Sequence, residues 1–496
     1  MFSRIDRYRW SFQDSHLPEV TLFAGENVAF DQRAVRELRQ MLEVQGTMNR
    51  WSSHAPEAFP EGAGLQKVVL TPDFHKAKGI PVGTVVQTRG FLLPQAVGND
   101  VGCGMRLHTT SLTAEQVLGH QKALIPKLRR MFFEAGRNIP MNRLQREALL
   151  REGLLGLMDT TPRSLQEGLW QLFHDQDLTH EAEHTESLGS RRARNTLGLE
   201  DFLGQRDFTR DGQIGSLGGG NHFVEIQRVK NILHPGIAHA WGLRKDQVVV
   251  MVHSGSVSVG YTCASMIREH LSRLYPAGLV HPRNQLYPVP NAEVHEETVL
   301  QNWDALNAGC NFATANRLML ALMVRAVFQD LEMPTDFPLL YDATHNMIWE
   351  EDGTYIHRKG ATPARGFEAM QNTPFRFTGE PVLVPGSMGT SSFVLAGLGL
   401  REALSSASHG AGRVLSRGQA MQGSTQDLDD LLRQHRVVTP VDFARTRPDV
   451  AREKLKELLQ EAPDAYKNIQ AIMETLQGAQ IAQPVAELEP LITVKG

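Results

Sequence analysis

The sequence predicts an α+β fold in one large domain, with strands that present polar residues at their ends and helices around them. Three observations carry this. Short apolar runs at 20–23 (VTLF), 67–70 (KVVL), 248–252, 337–341 and 381–384 have the length and composition of buried strands. Stretches of helical spacing lie between them, at 31–44, 112–133, 145–158 and 304–330. In the first of these, Val35, Leu38, Met41 and Leu42 share one face. Third, the segments that look able to do chemistry are strung from residue 71 to residue 496, which argues against separable domains.

Composition fits a large soluble globule: 496 residues, 41% hydrophobic and 21% charged. A net charge of −4, from 51 basic and 55 acidic residues, is no polyelectrolyte signature, so any nucleic-acid contact must come from a local basic patch. Three scattered cysteines, Cys103, Cys263 and Cys310, make no disulfide framework and point to a reducing cytoplasm. The opening MFSRIDRYRWSF has no signal-peptide run, and the most apolar helical stretch, 318–328, is interrupted by Arg325. No membrane role is expected.

Residues 1–60 form an N-terminal part, and 111–205 a largely helical, insertion-like region broken at Pro140 and Pro162. Within it, the acidic and His-rich 180–186 reads as a solvated helix or loop, and the run Arg191-Arg192-Ala193-Arg194 as a solvated turn. Residues 423–460 read as a polar helical segment.

Chemistry collects where apolar runs end. The strand at 67–70 runs into TPDFH, which either delivers Asp73 and His75 into a Gly/Pro-rich loop, where chemistry often sits, or makes a plain Asp turn after Pro72. In GNDVGCGMR, Asp100 and Cys103 stand three apart and can face one point. Histidines then recur beside small residues at the edges of strands: His222 in GGGNHFVE, His253 in MVHSGS and His345 in YDATHN. Singly, each is as well read as a satisfied core histidine. Together, one carboxylate, one thiolate and three imidazoles are the ligand inventory of a transition-metal site, mononuclear or dinuclear. After the strand at 381–384, PGSMGTSS supplies the amides and hydroxyls of a phosphate or nucleotide cradle, without the order of a P-loop. His409 follows, ahead of Gly410, Ala411 and Gly412, which are too small to shield it. If helical, the next segment puts Arg413 and Arg417 on one face, and an imidazole beside guanidinium forks suits phosphate chemistry.

Taken in order, TPDFHKAKGIPVG, GNDVGCGMR, GSLGGGNHFVEIQ, MVHSGS, NAGCNFATANR, YDATHN, HRKGAT, PVLVPGSMGTSS, SHGAGRVLSR and the final VKG resemble the RtcB-type RNA ligases of tRNA splicing and RNA repair. The resemblance implies a cytoplasmic enzyme that uses GTP and two manganese ions. It would join RNA ends bearing a 3′-phosphate or 2′,3′-cyclic phosphate to 5′-hydroxyl ends. His409 would accept GMP, with Asp73 beside it and Arg413 and Arg417 on the phosphates. Asp100, Cys103, His222, His253 and His345 would hold the metals. Asn221, Glu225, Asn346, Ser387, Ser392, Tyr466 and Lys495 would hold the nucleotide, with Pro385, Gly386, Met388 and Gly410–Gly412 around it. A monomer is implied, with an accessory activator protein as an open partner. One departure stands out: after HSGS the family carries Arg-Gly-Leu-Gly, and this chain has Val257-Ser258-Val259-Gly260. Arg191, Arg194 or Arg365 could replace the lost arginine. Without a substitute, an alternative is a paralogue that caps 3′-phosphates with GMP but seals poorly. A further alternative, a nucleic-acid-binding protein without turnover, would be favoured by loss of His409, which is present with both arginines. The stretch between HRKGAT and PGSMGT, with Phe375, Arg376 and Phe377, reads as a surface insertion.

Overall fold

The computed structural model describes residues 2–496 except 13–17, 30, 78, 135, 197, 205–213, 444 and 445. Three of these (135, 197 and 205) belong to the expected helical region at 111–205. The fold is α+β, as expected, and among the described residues two sheets dominate. One runs Phe2–Arg4, Arg9–Phe12, Glu19–Phe23, Gly64–His75, Val82–Arg89, Thr354–Lys359, Asn346–Glu351. The other runs Leu339–Thr344, Gly104–Thr113, Gln247–Ser254, Phe223–Ile232, Ala482–Val494, Ser392–Gly397, Pro381–Val384. The chain passes from the edge of the second sheet to the edge of the first between Thr344 and Asn346, so His345 stands at the seam.

The second sheet is buried on both faces, which is why Gln247–Ser254 is an unbroken apolar run. Val248, Val250 and Val252 pack toward the helices, while Val249 and Met251 enter the cluster on the other side. The helix Glu296–Gln329 lies in the helical layer, buried on most sides from Ala308 to Val324. Three polar exceptions within that span are tied to neighbouring carbonyls. Asn311 donates to the carbonyls of Leu150 and Arg191, Asn316 to those of Ser216 and Gly255, and Arg317 to those of Gly102 and Ser254. These bonds fasten the helix to the loops that carry the candidate site.

Several expectations change. Residues 180–186 are no solvated tract. Arg106 is fully buried inside Gly104–Thr113, and Glu181 and Asp342 close on its guanidinium. Glu186, also buried, faces Arg191 and Arg365 and accepts from the Trp349 indole. A buried arginine needs carboxylates, so Glu181 and the Glu186 side chain are drawn inward, while Glu183 stays exposed. Leu112 ends a strand rather than opening a helix; the helix begins at Ala114, capped by Thr113 and Gln116. The insertion at 375–377 is half core, with Phe375 packed on Tyr341 and Trp241 while Phe377 is exposed. The polar segment 423–460 forms two helices, Thr425–Gln434 and Pro448–Leu458, around a small cluster of Met388, Leu428, Leu432 and Leu459.

Candidate active site

Strand register explains why distant residues meet. Gly104 pairs with both Ser254 and Thr344, and Phe223 pairs with His253. Four strand ends therefore lie in a row, and Cys103, His222, His253 and His345 occupy or adjoin them. The ligand atoms of Cys103, His222 and His253 all lie within 4.8 Å of one another. Cys103 Sγ is 3.3 Å from His222 Nε2 and 3.5 Å from His253 Nε2, and the Nε2 atoms of His253 and His345 are 3.4 Å apart. Asp100 Oδ2 joins at 2.9 Å from His222 Nε2. His222 Nδ1 lies 3.1 Å from the Leu217 carbonyl, which turns its Nε2 toward the cluster. Gly255 is required here, since a Cβ would come within 2.2 Å of the Asp100 carboxylate.

Electrostatics favour a cation at this point. Burial, reinforced by Asp100, pushes the Cys103 thiol well above its usual range. Burial also holds His253 and His345 well below theirs, so both imidazoles are neutral, lone-pair donors. A divalent ion reverses the thiol's preference, and sulfur plus imidazole nitrogen is a transition-metal donor set.

His409 is set beside the cluster by a second device. Ser406–Ser408 pairs with Ala361–Pro363, Ser408 opposite Ala361, so His409 emerges next to Gly360. Gly360 has φ +60°, and a Cβ there would meet Val82 at 2.2 Å and the His409 ring at 3.1 Å. The His409 ring centroid lies 4.8 Å from that of His345 and 6.4 Å from that of His253. His409 Nδ1 is 2.6 Å from Asp73 Oδ2. Asp73 is fully buried, and Thr71 Oγ1 donates to its other oxygen at 2.5 Å. Burial alone would raise the Asp73 carboxyl, but His409 and Thr71 outweigh it, and the carboxyl lies below its ordinary value. Lys467 clamps this turn by donating to the carbonyls of Pro72 and Phe74 at 2.9 and 2.7 Å.

A cavity of about 520 Å³ opens over His409. Arg413, Arg417, Tyr466, Lys495, Ser387 and Glu225 are among the residues lining it, with Asn221 and His253 at its walls. Arg413 and Arg417 do not share a helix face. Arg413 bridges to Tyr466 in an extended segment, and the helix starts at Arg417, capped by Ser416. Gly412, at φ +73° and with no room for a Cβ against Asp73, forbids the helix that the spacing suggested. The Arg413 guanidinium lies 5.1 Å over the Tyr466 ring and 3.4 Å from Glu461. Lys495 Nζ donates to the carbonyls of Gly220 and His222, and burial pushes it down to about 8.

A sequence model of the family described as tRNA-splicing ligase RtcB matches residues 61–496. The chain belongs to the RtcB family. It is 32% identical to the tRNA-splicing ligase RtcB of Thermococcus kodakarensis, over 99% of this chain and 98% of the relative. It is 30% identical to the Methanococcus maripaludis tRNA-splicing ligase RtcB, over 87% of this chain and 89% of that protein. To the RNA-splicing ligase RtcB of Mycobacterium tuberculosis it is 32% identical, over 86% and 96%.

Within this RtcB chain some expected residues stand behind the cavity. Asn346 donates to the Asp100 carbonyl and accepts from the Gly360 amide, so it braces Asp100 and the turn beside His409. Ser392 is buried and accepts from Gln227 and the Gly386 amide. Each substitute considered for the arginine at Val257 is engaged elsewhere: Arg191 by Glu186, Arg194 by Asp304 and Glu297, Arg365 by Glu186 and Glu380. His75, delivered with Asp73 by the same strand, lines the cavity, and so do Arg33 and Lys76, which sequence reading missed. Lys76 lies inside the TPDFHKAKG block. Arg33 lies in the first turn of an ordinary amphipathic helix and gives no signal. Among the described residues no helix is long and apolar enough to cross a membrane.

Proposed function

We propose that this chain is a GTP-dependent RNA ligase of tRNA splicing or RNA repair, acting as a monomeric single-domain enzyme in the cytoplasm. It joins 3′-phosphate or 2′,3′-cyclic phosphate ends to 5′-hydroxyl ends. The 2.6 Å contact of His409 Nδ1 with a fully buried Asp73, on the wall of a basic cavity, carries the reading. A carboxylate at Nδ1 holds the hydrogen there and leaves the Nε2 lone pair free for attack. Nε2 bonds to the α-phosphorus of GTP as the bond to the β-phosphate oxygen breaks, and pyrophosphate leaves. An RNA 3′-phosphate oxygen then takes the GMP from His409. A 5′-hydroxyl displaces that GMP from the RNA and seals the strand. A 2′,3′-cyclic phosphate is first hydrolysed to the 3′-phosphate.

Arg413 and Arg417 are read as phosphate holders. Asn221, Glu225, Ser387, Tyr466 and Lys495 are read as the nucleotide's seat, with Pro385, Gly386, Met388 and Gly410–Gly412 around it. Cys103, His222 and His253, with Asp100 and His345, would hold two divalent metals, which supply charge withdrawal from the phosphate oxygens. The donor types alone would favour zinc over manganese; manganese is the family's implication. An accessory activator protein completes the proposed partners.

Incubation with α-³²P-GTP and manganese, followed by a denaturing gel, tests this. A labelled band lost in His409→Ala supports the covalent guanylate, and absence of label with any divalent metal sinks the reading. A second reading, capping without efficient sealing, is favoured by Val257 and by the engagement of Arg191, Arg194 and Arg365 elsewhere. Accumulation of GMP-capped RNA in place of joined product would select it.

A further inference from the structure

His75 ends the strand Gly64–His75, lines the cavity with His409, and has no part in the steps above. Its Nδ1 lies 2.7 Å from the Asp73 carbonyl oxygen. A carbonyl oxygen only accepts, so Nδ1 carries the hydrogen and Nε2 the lone pair. Among the described residues nothing bonds to Nε2, and Nε2 is not among the buried atoms lacking a partner, so it is open to the cavity. Burial holds the ring down to about 3, so it is neutral at any working pH. The same cavity is lined by Arg33, Lys76, Arg413, Arg417 and Lys495, whose charges suit phosphate, and by the carboxylates of Asp31, Glu225 and Glu461; His75 adds a neutral acceptor to them. Its lone pair repels a phosphate oxygen and suits a hydroxyl.

We propose that His75 Nε2 accepts the hydrogen bond of the RNA 5′-hydroxyl, aiming its oxygen at the 3′-phosphorus and disfavouring a 5′-phosphate. The inference rests on the ligase reading above. In the step concerned, the 5′-oxygen bonds to the 3′-phosphorus, the bond from that phosphorus to the GMP oxygen breaks, and the hydroxyl proton is released with GMP. His75 orients the hydroxyl and, with so low a basicity, does not retain the proton. Arg33 and Lys76, which line the same cavity, offer charge for the phosphodiester that follows the 5′ nucleotide.

Two substitutions separate this role from a structural one. His75→Asn keeps an N–H near Nδ1 for the Asp73 carbonyl and removes the Nε2 acceptor. His75→Gln places an amide oxygen near Nε2. Full-length protein with manganese and GTP would be followed through three single-turnover steps: labelling of His409, capping of a 3′-phosphate RNA, and joining to a 5′-hydroxyl strand. For His75→Asn, labelling and capping should stay within about 2-fold, while joining falls at least about 10-fold and capped RNA accumulates. His75→Gln should regain part of the joining rate. A 5′-phosphorylated strand should compete better against the Asn variant than against wild type. A parallel fall of all three steps in both variants, or unchanged joining in His75→Asn, overturns the proposal. So does loss of the effect when the 3′-terminal ribose lacks its 2′-hydroxyl, which would assign Nε2 to that group instead. Wild type that takes up no GMP defeats the ligase reading itself, whereas wild type and His75→Asn joining equally well defeat only this inference.

Discussion

Asp73→Asn is the sharpest perturbation of the candidate nucleophile. The change keeps the shape of the side chain and removes its charge. In the native arrangement Asp73 Oδ2 faces His409 Nδ1 at 2.6 Å, and Oδ1 accepts from Thr71 at 2.5 Å. Asparagine has one oxygen for these two places. Thr71 is a donor and claims it, so the amide NH₂ turns to His409 Nδ1. That selects the tautomer with hydrogen on Nε2, which has no lone pair to attack with. A charge-assisted hydrogen bond is worth about 1.5–3 kcal/mol, or about 10- to 150-fold in rate. Where a similar change forces the wrong tautomer in serine proteases, about 10⁴-fold is lost. The rate of GMP transfer to His409 should therefore fall between about 10²- and 10⁴-fold, read as label per protein against time in single turnover. A variant that labels within about 3-fold of wild type, with its fold intact, would refute the tautomer argument. The same pair has a pH signature. The folded carboxyl lies below its ordinary 3.8, so its contribution to stability is present above that value and is lost as pH falls through the lowered one. Asp73→Asn should thus show a shallower loss of stability on acidification below about pH 4 than wild type.

Three other outcomes are expected. Cys103→Ala removes the sulfur that lies 3.3 and 3.5 Å from two imidazoles, and divalent-metal affinity measured by calorimetry should fall at least about 10-fold. Arg106→Met leaves Glu181 and Asp342 buried without their shared cation; equilibrium unfolding should show a loss of about 3–5 kcal/mol. Asp342 would retain Arg317 at 2.6 Å, so Glu181→Gln in the Arg106→Met background should recover part of that loss. Gly360→Ala combines a left-handed backbone, a penalty of about 1–2 kcal/mol, with a Cβ driven into Val82 and the His409 ring. Its melting temperature and its His409 labelling rate should fall together.

How much of this was legible depended on whether a residue's partner was local. One strand end was readable, because an apolar run that stops at a histidine announces itself, and the run at 248–252 is found within Gln247–Ser254. The run at 67–70, by contrast, does not stop there but continues as strand through Asp73 to His75, so Asp73 sits in a strand and not in a loop. The amphipathic helix at 31–44 is likewise found, as Gln32–Leu42 capped by Asp31. Convergence was not readable. Whether Cys103 meets His222, 119 residues away, is decided by the register of Gly104, Ser254, Phe223 and Thr344 across three neighbouring strand pairs. The acidic tract at 180–186 misled for the same reason: composition reads as solvent exposure until Arg106, in another element, is known to need its carboxylates. The helix expected through Arg413 failed on another distant contact, since the turn at Gly412 lies against the backbone of Asp73.

The loss of an arginine at Val257 takes on a different meaning once the cavity is known. On the sequence, a missing cation seemed to call for another cation to fill its place, and Arg191, Arg194 and Arg365 were the candidates. Each of them is paired with a buried or half-buried carboxylate: Arg191 with Glu186, Arg194 with Asp304, and Arg365 with Glu186 and Glu380. Cations that line the cavity come from other parts of the chain: Arg33, from the first turn of a helix, pairs with Asp31 and reaches the Val414 carbonyl and Gln419, and Arg417 starts a helix of its own. Val257 is not among the residues that line the cavity, whereas His409 lines it and is paired with Asp73. A defect traceable to Val257 would therefore appear in strand joining with GMP transfer to His409 intact, and one traceable to Asp73 would appear already in that transfer.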